Sequence, residues 1–272
     1  LRLSDDLVAQ YHRDGFLSNI QVLTEDECDA LLEDLTSLLD PVKLHPARGL
    51  FYELHFNQTG DDSNVLAHAL GHWRISKLFR DLLYHPAVTV ATSQLMGGTG
   101  VRFWHDQLFC KPANHGGNVA WHQDYSYWTR TTPMNHMTVH VALDAQTEEN
   151  GSLQFVPGSH KWTRDGGKPL PITADDFADM TSINAVLTEE EREAFKPVPG
   201  LLKRGQVSFH HPLTVHGSYP NRSPHQRRAA VLNYFADGTC SATDDELLAG
   251  VRVPTGEPMG GRFFPLAYDP SW

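Results

Sequence analysis

The first third of the chain has apolar residues at helical spacing, with capping signals at the ends of the pattern. Ser4 is a candidate N-cap for the first helix, and Gly15 is a candidate C-terminal stop. Thr24 and Glu27 form a capping-box pair at the start of the next helical pattern, which we expect to end at Pro41. Further helices are predicted within residues 75–86 and 87–97.

After Gly97-Gly98 the pattern changes to short β-branched and aromatic runs that are separated by turn residues. These runs predict strands within residues 101–112, 118–124, 136–144, 152–160, 201–211, 214–220 and 227–236. Residues 163–200 have little periodicity, and we interpret them as an insertion with one short helix at 188–195. No role is predicted for that insertion or for residues 241–272.

Helices followed by many short strands indicate a mainly β protein with N-terminal helices, in which the strands form a double-stranded β-helix, the jelly-roll or cupin-like barrel. We expect one domain over residues 1–272, with a helical part at about 1–97, the barrel at about 98–240 and a C-terminal tail at 241–272.

Composition narrows the range of partners. The formal net charge of −11 argues against binding of nucleic-acid phosphates and of an anionic membrane surface. We find no signal peptide and no apolar run long enough to cross a bilayer. Cys28, Cys110 and Cys240 are odd in number and far apart, which fits a reducing compartment, and we expect a cytoplasmic protein. The sequence does not indicate an oligomeric state.

His122 and Asp124 are the first candidates for chemistry, in the stretch "WHQDYSYW". Side chains two apart on a strand share a face, so these two point the same way while Gln123 points away. An imidazole, a carboxylate and one more histidine can hold non-haem Fe(II). His-x-Asp also occurs for purely structural reasons, and the third ligand has three candidates in "SFHHPLTVHGSYP", namely His210, His211 and His216.

His216 is the preferred third ligand because of a residue downstream. Arg227 follows it by eleven positions, across a turn that can return the guanidinium to the metal. The planar guanidinium suits bidentate pairing with the distal carboxylate of a 2-oxo acid. Arg228 is expected to point to the opposite face, as a surface or ion-pair residue.

Three motifs, "WHQDYSYW", "VALDAQTEENGSLQFVPGSHK" and "HPLTVHGSYPNRSPHQRR", resemble the phytanoyl-CoA dioxygenase family of Fe(II)- and 2-oxoglutarate-dependent oxygenases. The opening "YHRDGFLSNIQVLTEDECDALLEDL" resembles the N-terminal helices of the same family, and the resemblance runs from about residue 8 to about 236. It implies a double-stranded β-helix, with iron held by His122, Asp124 and His216, 2-oxoglutarate held by Arg227, and O₂ as the second cosubstrate.

Several further residues are candidate contacts for cosubstrate or substrate, and each has a structural role as the alternative. Gln107 is a candidate contact for the 2-oxoglutarate C1 carboxylate or for substrate, and Thr138 for the C5 carboxylate, each equally well explained by packing. Lys111 is interpreted as a solvated residue at a strand end, although relatives carry a lysine there. Tyr127, Trp128 and His140 are candidate substrate contacts, with core packing as the alternative. Residues 49–58 are a candidate lid.

The presence of Asp124 disfavours halogenation, since related halogenases replace this carboxylate by Ala or Gly. The resemblance implies hydroxylation of an unactivated C–H bond of a small molecule, with conversion of 2-oxoglutarate to succinate and CO₂. Desaturation, epimerisation and cyclisation use the same residues and stay open. Two other classes also stay open: an iron enzyme that does not use 2-oxoglutarate, and a non-catalytic binding protein.

Overall fold

The computed structural model describes residues 2–40, 42–43, 45–63, 65–172 and 179–272, and it is mainly β. Its α-helices are α1 (Asp5–Asp14), α2 (Glu25–Leu38), α3 (Lys77–Leu83), α4 (Pro86–Leu95), α5 (Tyr125–Trp128) and α6 (Glu189–Ala194). Its strands are β1 (Phe16–Gln21), β2 (Glu53–His55), β3 (Ala67–Leu70), β4 (Val101–Lys111), β5 (Val119–His122), β6 (Thr131–Thr132), β7 (His136–Ala142), β8 (Leu153–Phe155), β9 (Val198–Pro199), β10 (Gln206–His210), β11 (His216–Ser218), β12 (Arg227–Ala236), β13 (Cys240–Ser241), β14 (Glu246–Leu248), β15 (Val251–Arg252) and β16 (Leu266–Tyr268).

The predicted helix ends are confirmed where the structure describes them. Ser4 accepts from the Leu7 backbone at the start of α1, and Gly15 closes this helix with a φ of 83°. Thr24 and Glu27 form both bonds of the capping box of α2. Pro41, the predicted end of α2, lies outside the described residues.

Eight strands of the described chain form the larger sheet, which we call the major sheet. Its order is β1-β10-β7-β12-β4-β3-β2, and β16 also pairs with β4. β1, β2 and β3 lie within residues 1–97 and are missing from the sequence prediction, which expects helices there. Helix capping and apolar spacing dominate this part of the sequence, and these strands have three to six residues each.

A second sheet of four strands, the minor sheet, has the order β5-β11-β8-β9. The long strands β4, β7, β10 and β12 of the major sheet and the strands β5, β8 and β11 all lie within predicted stretches. Closure of the two sheets into a double-stranded β-helix, and the division of the chain into three parts, stay predictions.

Helices α1 to α4 pack on one face of the major sheet. Residues of α1, α2 and α3, such as Tyr11, Leu35 and Leu82, share one apolar core with Val139 of β7 and Phe209 of β10. Residues in the alternate positions of β7 and β10 face the other side, because side chains on a strand alternate between the two faces. Both faces of these strands are therefore buried.

The two regions without a predicted role take up defined positions. In residues 163–200, α6 confirms the predicted short helix, and Leu170 and Ile183 pack against Trp121 of β5. In residues 241–272, β14 and β15 form a hairpin and β16 extends the major sheet. Within the part of the chain that the structure describes, no helix is long and apolar enough to cross a membrane.

Candidate metal centre

A cavity of about 370 Å³ opens between the major and minor sheets. Its polar lining includes His105, Gln107, Lys111, His122, Asp124, Thr138, His140, His210, His216, Arg227 and Asn233. Its apolar lining includes Leu66, Leu70, Trp104, Phe109, Trp128, Leu247 and Leu248. An enclosed apolar space with a few converging polar groups is typical of a small-molecule site.

His122 and His216 are brought together by strand pairing, since they are direct partners on β5 and β11. Nδ1 of His122 lies 2.8 Å from the Ala120 carbonyl oxygen, and Nδ1 of His216 lies 2.9 Å from that of Thr214. A carbonyl only accepts, so each Nδ1 carries the ring proton. Each Nε2 is left with a free lone pair, as a metal ligand requires.

Asp124 follows the end of β5 and presents its carboxylate to both rings. Oδ1 lies 3.4 Å from Nε2 of His122 and 3.6 Å from Nε2 of His216. One ligand atom from each of the three residues lies within 4.8 Å of the other two. Two imidazoles and one carboxylate on one side of a cavity match the facial triad of non-haem Fe(II) sites.

Electrostatics favour the ligand forms of these groups. Burial opposes the charge on Asp124, but His216, His122 and His210 around it hold its pKa well below the ordinary value. Burial lowers the pKa of His216 well below its ordinary value and keeps the ring neutral. Asp124 as a carboxylate and His216 as a neutral imidazole are the forms in which these groups bind a metal ion.

The other two candidate histidines occupy different positions. Nε2 of His210 lies 3.1 Å from Oδ2 of Asp124, the oxygen that does not face the two ligand-type nitrogens. His211 accepts a bond from the Leu213 backbone and stacks near His160. Of the three histidines, the structure thus places His216 in the metal-type cluster, His210 behind Asp124, and His211 away from it.

Arg227 and Lys111 are two buried cations in the same cavity. They are direct partners on β12 and β4, and each is at most 1% exposed. Arg227 donates to the Gly151 carbonyl at 2.6 Å, and Lys111 donates to Ser218 Oγ at 2.7 Å and the Tyr219 carbonyl at 2.6 Å. Neither forms an ion pair with any described residue, and Nε of Arg227 is buried without a hydrogen-bond partner among them.

Burial lowers the pKa of Arg227 to about 10. Burial, assisted by Arg227, lowers the pKa of Lys111 well below its ordinary value. The interpretation of Lys111 as a solvated strand-end residue is wrong, because its side chain is fully buried. The adjacent Pro112 indicates a strand end at the surface, but this end of β4 lies against β11. Arg228 does point away, as predicted, and forms a bidentate pair with Asp144.

Gln107, Thr138 and His140 all line the cavity, and each has protein partners. Gln107 lies 3.3 Å from His68 Nε2, and His140 Nε2 bonds with the side-chain amide of Gln146. Thr138 donates to Oδ2 of Asp124 at 2.7 Å. The β12 partner of Thr138 is Asn233, six residues along the strand from Arg227, so Thr138 contacts the metal-type cluster instead of the arginine.

Tyr127 and Trp128 line the cavity from α5. The tyrosine ring lies edge-on to His122, and Trp128 packs against Trp104. Because the chain turns into a helix after Asp124, the strand alternation of side chains ends there, and Ser126 does not share a face with Asp124 by that alternation. Gln123 points away from the cluster, as predicted, but it is fully buried, where its amide bonds to Trp162, Leu170 and Leu213.

Residues 49–58, the candidate lid, contribute Tyr52, Glu53 and Gln58 to the cavity lining. Sequence reasoning missed His105 and Asn233, and it treated His210 only as an alternative metal ligand. The period-two pattern of β4 and β12 does place His105 and Asn233 on the faces of Gln107 and Arg227. That alternation was the signal that could have identified them.

Comparisons with known proteins agree with this site. A model of the phytanoyl-CoA dioxygenase (PhyH) family matches residues 11–229. A probable alpha-ketoglutarate-dependent hypophosphite dioxygenase from Stutzerimonas stutzeri is 32% identical over 142 residues, which are 51% of this chain and 46% of that protein. This chain thus matches less than half of that relative. Ectoine dioxygenase from Bordetella parapertussis is 25% identical over 254 residues, 85% of this chain and 75% of that protein.

Among solved structures, the non-haem alpha-ketoglutarate-dependent carbocyclase SnoK from nogalamycin biosynthesis superposes with a TM-score of 0.78. It is 21% identical, and the match covers 97% of this chain and 96% of that one, which shows a common fold. The matched residues 11–229 include His122, Asp124, His216 and Arg227. This chain therefore belongs to the phytanoyl-CoA dioxygenase family, as its motifs predict.

Proposed function

We propose that the protein is an Fe(II)- and 2-oxoglutarate-dependent dioxygenase that hydroxylates an unactivated C–H bond of a small molecule. The observation that carries this proposal is the arrangement of one cavity. A carboxylate and two imidazoles converge at one place in its wall, and two buried cations that have no counterion among the described residues lie at another. The first group fits a metal ion and the second fits a carboxylate.

His122, Asp124 and His216 would hold the iron. Bound iron supplies the activation of O₂, in a reaction that converts 2-oxoglutarate to succinate and CO₂ and the substrate C–H to C–OH. The protein's part is to fix the three ligand atoms and to keep both rings in the Nδ1–H tautomer through the carbonyls of Ala120 and Thr214. Such positioning and shielding are what a protein contributes to cofactor chemistry.

Arg227 and Lys111 would hold the distal carboxylate of 2-oxoglutarate. Two adjacent positive charges in a buried site repel each other, and each lacks an acidic partner among the described residues. A bound carboxylate removes both penalties, and the guanidinium can pair with it through its unpartnered Nε. Gln107 stays a candidate contact for the C1 carboxylate or for substrate, because it lines the same wall of β4.

Tyr127 and Trp128 are the proposed substrate contacts, since α5 places them beside His122 in the cavity lining. His140 is committed to Gln146, which favours a supporting role. The size of the cavity and its enclosure by both sheets fit a small molecule. We propose that the sheets are the halves of a double-stranded β-helix and that the protein acts in the cytoplasm, which the three free cysteines support.

Substitution of Arg227 tests the proposal against a neighbouring arginine. We expect Arg227→Ala to weaken 2-oxoglutarate binding roughly 30-fold or more, because truncation leaves Lys111 and the bound carboxylate incompletely paired in a buried site. Arg228→Ala is the matched control, since Arg228 points away and pairs with Asp144, and it should change the dissociation constant less than about twofold. Binding is measured by anaerobic titration of the Fe(II) protein, following the visible metal-to-ligand charge-transfer band.

Unchanged 2-oxoglutarate affinity in Arg227→Ala would contradict the assignment and favour an iron enzyme that does not use this cosubstrate. Absence of the charge-transfer band in the unsubstituted protein would favour a non-catalytic binding protein. Where the band forms, succinate release across a substrate panel identifies a substrate. The product mass then separates hydroxylation, which adds one oxygen, from desaturation, which removes two hydrogens, and from epimerisation.

A further inference from the structure

Four polar side chains form a continuous row across the major sheet on its cavity face. His105 of β4 is the direct partner of Asn233 of β12, Asn233 is the partner of Thr138 of β7, and Thr138 is the partner of His210 of β10. All four are at most 5% exposed, and all four line the cavity. We call these residues the polar row.

The polar row ends on Asp124. Its Oδ2 lies 2.7 Å from Thr138 Oγ1 and 3.1 Å from His210 Nε2. On the other side of Thr138, the hydroxyl lies 3.2 Å from Oδ1 of Asn233, and Nδ2 of Asn233 lies 3.3 Å from Nδ1 of His105. A chain of hydrogen bonds therefore runs from Asp124 through Thr138 and Asn233 to His105.

The number of protons on these side chains determines which group donates in each of the three hydrogen bonds. An ionised carboxylate only accepts, so the single hydroxyl proton of Thr138 goes to Asp124, the nearer neighbour. The hydroxyl then has only lone pairs left for Asn233, and two acceptors cannot bond to each other. The two ends of a side-chain amide are nearly identical in shape and are assigned from their neighbours. Asn233 must therefore turn its NH₂ to Thr138 and its oxygen to His105.

The same logic sets the tautomer of His105. A ring nitrogen that faces an amide oxygen has to carry a proton, so Nδ1 of His105 is the N–H. Burial lowers the pKa of His105 to about 3, so the ring is neutral and Nε2 is a bare acceptor. Among the residues that the structure describes, the ring bonds to Asn233 through Nδ1 and also lies in hydrogen-bond contact with the Asp106 backbone, and no side chain bonds to Nε2. Trp104 and Trp128 flank the ring in the cavity lining.

We infer that His105 binds the substrate through Nε2 by accepting a hydrogen bond from a hydroxyl or N–H group. Aromatic and leucine side chains line this side of the cavity together with the cation Arg130, so the substrate class is a mainly apolar molecule that carries one such donor and no positive charge. The inference rests on the proposed function only in placing the substrate in this cavity. His105 is then a residue that determines substrate specificity. Its ring is oriented by the carboxylate of Asp124, through the hydrogen bonds of Thr138 and Asn233.

The tautomer is measured first, without turnover. The protein is labelled with ¹⁵N in its histidine rings and loaded with Zn(II), a diamagnetic substitute for iron, and with 2-oxoglutarate. Long-range ¹H–¹⁵N spectra distinguish protonated from bare ring nitrogens, and the signals absent from His105→Phe and from His105→Gln belong to His105. We expect protonated Nδ1 and bare Nε2. A protonated Nε2 with a bare Nδ1 overturns the inference.

The donor requirement is tested with a matched pair of probes, 2-naphthol and 2-methoxynaphthalene, which differ in one hydroxyl proton. In the same Zn(II)-loaded protein, 2-naphthol should bind roughly two- to tenfold more tightly, the contribution of one hydrogen bond. His105→Phe keeps a ring but should remove this preference, whereas His105→Gln restores an acceptor and part of the preference. His68→Phe is the control, because His68 also lines the cavity but bonds to Gln107.

Equal affinity for the two probes in the unsubstituted protein would overturn the inference, as would an undiminished preference in His105→Phe. Both outcomes are independent of the proposed function, which fails instead if Arg227→Ala leaves 2-oxoglutarate binding intact. A bare Nε2 in the unsubstituted protein, together with weakened 2-oxoglutarate binding in Arg227→Ala, supports both.

Discussion

The two carboxylate oxygens of Asp124 have different neighbours and different roles. Oδ1 faces the nitrogens of His122 and His216, while Oδ2 is held from behind by Thr138 and His210. A ligand whose second oxygen is fixed cannot rotate away from the metal, so the hydrogen bonds behind it contribute to metal affinity. Thr138, which sequence reasoning assigned to the cosubstrate, is better explained as a positioning residue for Asp124.

This role makes Thr138→Val a sharp test, since valine keeps the shape but cannot donate. We expect the Fe(II) affinity to fall roughly 10- to 100-fold, the usual effect of removing a partner behind a metal ligand. Thr138→Ser retains the hydroxyl and should restore most of the affinity. Competition with a coloured Fe(II) chelator gives the affinities. If valine and serine weaken metal binding equally, the loss is one of packing and the positioning role fails.

Burial of the Lys111 ammonium group lowers the stability of the folded protein as long as no anion is bound beside it. Burial, with Arg227 nearby, holds its folded-state pKa below 10.5. Without 2-oxoglutarate, we expect Lys111→Met to raise the free energy of unfolding at neutral pH by about 1 kcal/mol or more, and to weaken 2-oxoglutarate binding. Urea unfolding of both proteins, with and without cosubstrate, measures the two effects.

The pH dependence of this difference has a defined sign. Between the lowered folded-state pKa and 10.5, the unfolded chain holds the Lys111 proton and the folded chain does not. The unsubstituted protein therefore gains stability as the pH rises through this interval, and Lys111→Met lacks that gain. The difference in the free energy of unfolding between Lys111→Met and the unsubstituted protein should therefore shrink as the pH approaches 10.5. A difference that grows with pH would show that Lys111 is not the strained cation.

At this scale the sequence predicted the metal-type cluster but not its surroundings. His122 and Asp124 were found by the two-residue period, and His216 through its spacing from Arg227. Lys111 was misassigned because a lysine beside a proline carries no sign of burial. His210 joins the site only through cross-strand pairing, and register between distant strands is not contained in any local pattern.

At the scale of elements, the long strands were predicted and the short ones were not. β7 is buried at every position, with core residues on one face and cavity residues on the other. Its sequence HMTVHVA keeps the period-two alternation, because Met137, Val139 and Val141 face the core while Thr138 and His140 face the cavity. β1, β2 and β3 are short and lie among helical patterns, so they become strands only by pairing: β1 with β10, β3 with β4, and β2 with β3.

The turn at Gly151 connects an element to the cosubstrate site. Gly151 has a φ of 75°, its carbonyl accepts from Arg227, and a Cβ there would lie 2.3 Å from the Tyr219 carbonyl oxygen that accepts from Lys111. Glycine adopts this positive φ without the steric cost that a Cβ would add. A side chain at this position would push apart the two carbonyls that hold the two cations.

Gly151→Ala should therefore weaken 2-oxoglutarate binding at least about tenfold, and should lower stability by more than the roughly 1–2 kcal/mol of a left-handed alanine. Gly158→Ala is the matched control, because Gly158 has a φ of 78° and open space around its Cα. It should show the strain alone, with unchanged cosubstrate affinity. Denaturant unfolding and the charge-transfer titration separate the two effects. Equal 2-oxoglutarate affinities would mean that the turn does not control the site.

At the scale of the whole molecule, the site joins the two sheets. His122 and His216 belong to the minor sheet, whereas the residues that fix Asp124, Thr138 and His210, belong to the major sheet. Lys111 of the major sheet likewise donates to Ser218 of the minor sheet. A metal ion would bind His122 and His216 of the minor sheet together with Asp124, which the major sheet holds, and a dicarboxylate would bind Arg227 and Lys111 of the major sheet, where Lys111 contacts the minor sheet. The binding of both is therefore coupled to the packing of one sheet on the other.

Ligand loading should therefore raise the unfolding temperature of the whole chain in one transition. A metal at 100 times its dissociation constant adds about 2.7 kcal/mol, and a domain of this size gains roughly 2–4 °C per kcal/mol. We expect Zn(II) with 2-oxoglutarate to raise the midpoint of the chelator-treated protein by about 5–10 °C. Asp124→Ala should abolish the metal-dependent part, because the variant lacks the carboxylate ligand that is held by the major sheet. Differential scanning calorimetry measures both. Two separated transitions, or an Asp124→Ala protein that still responds to Zn(II), would show that the site does not connect the sheets.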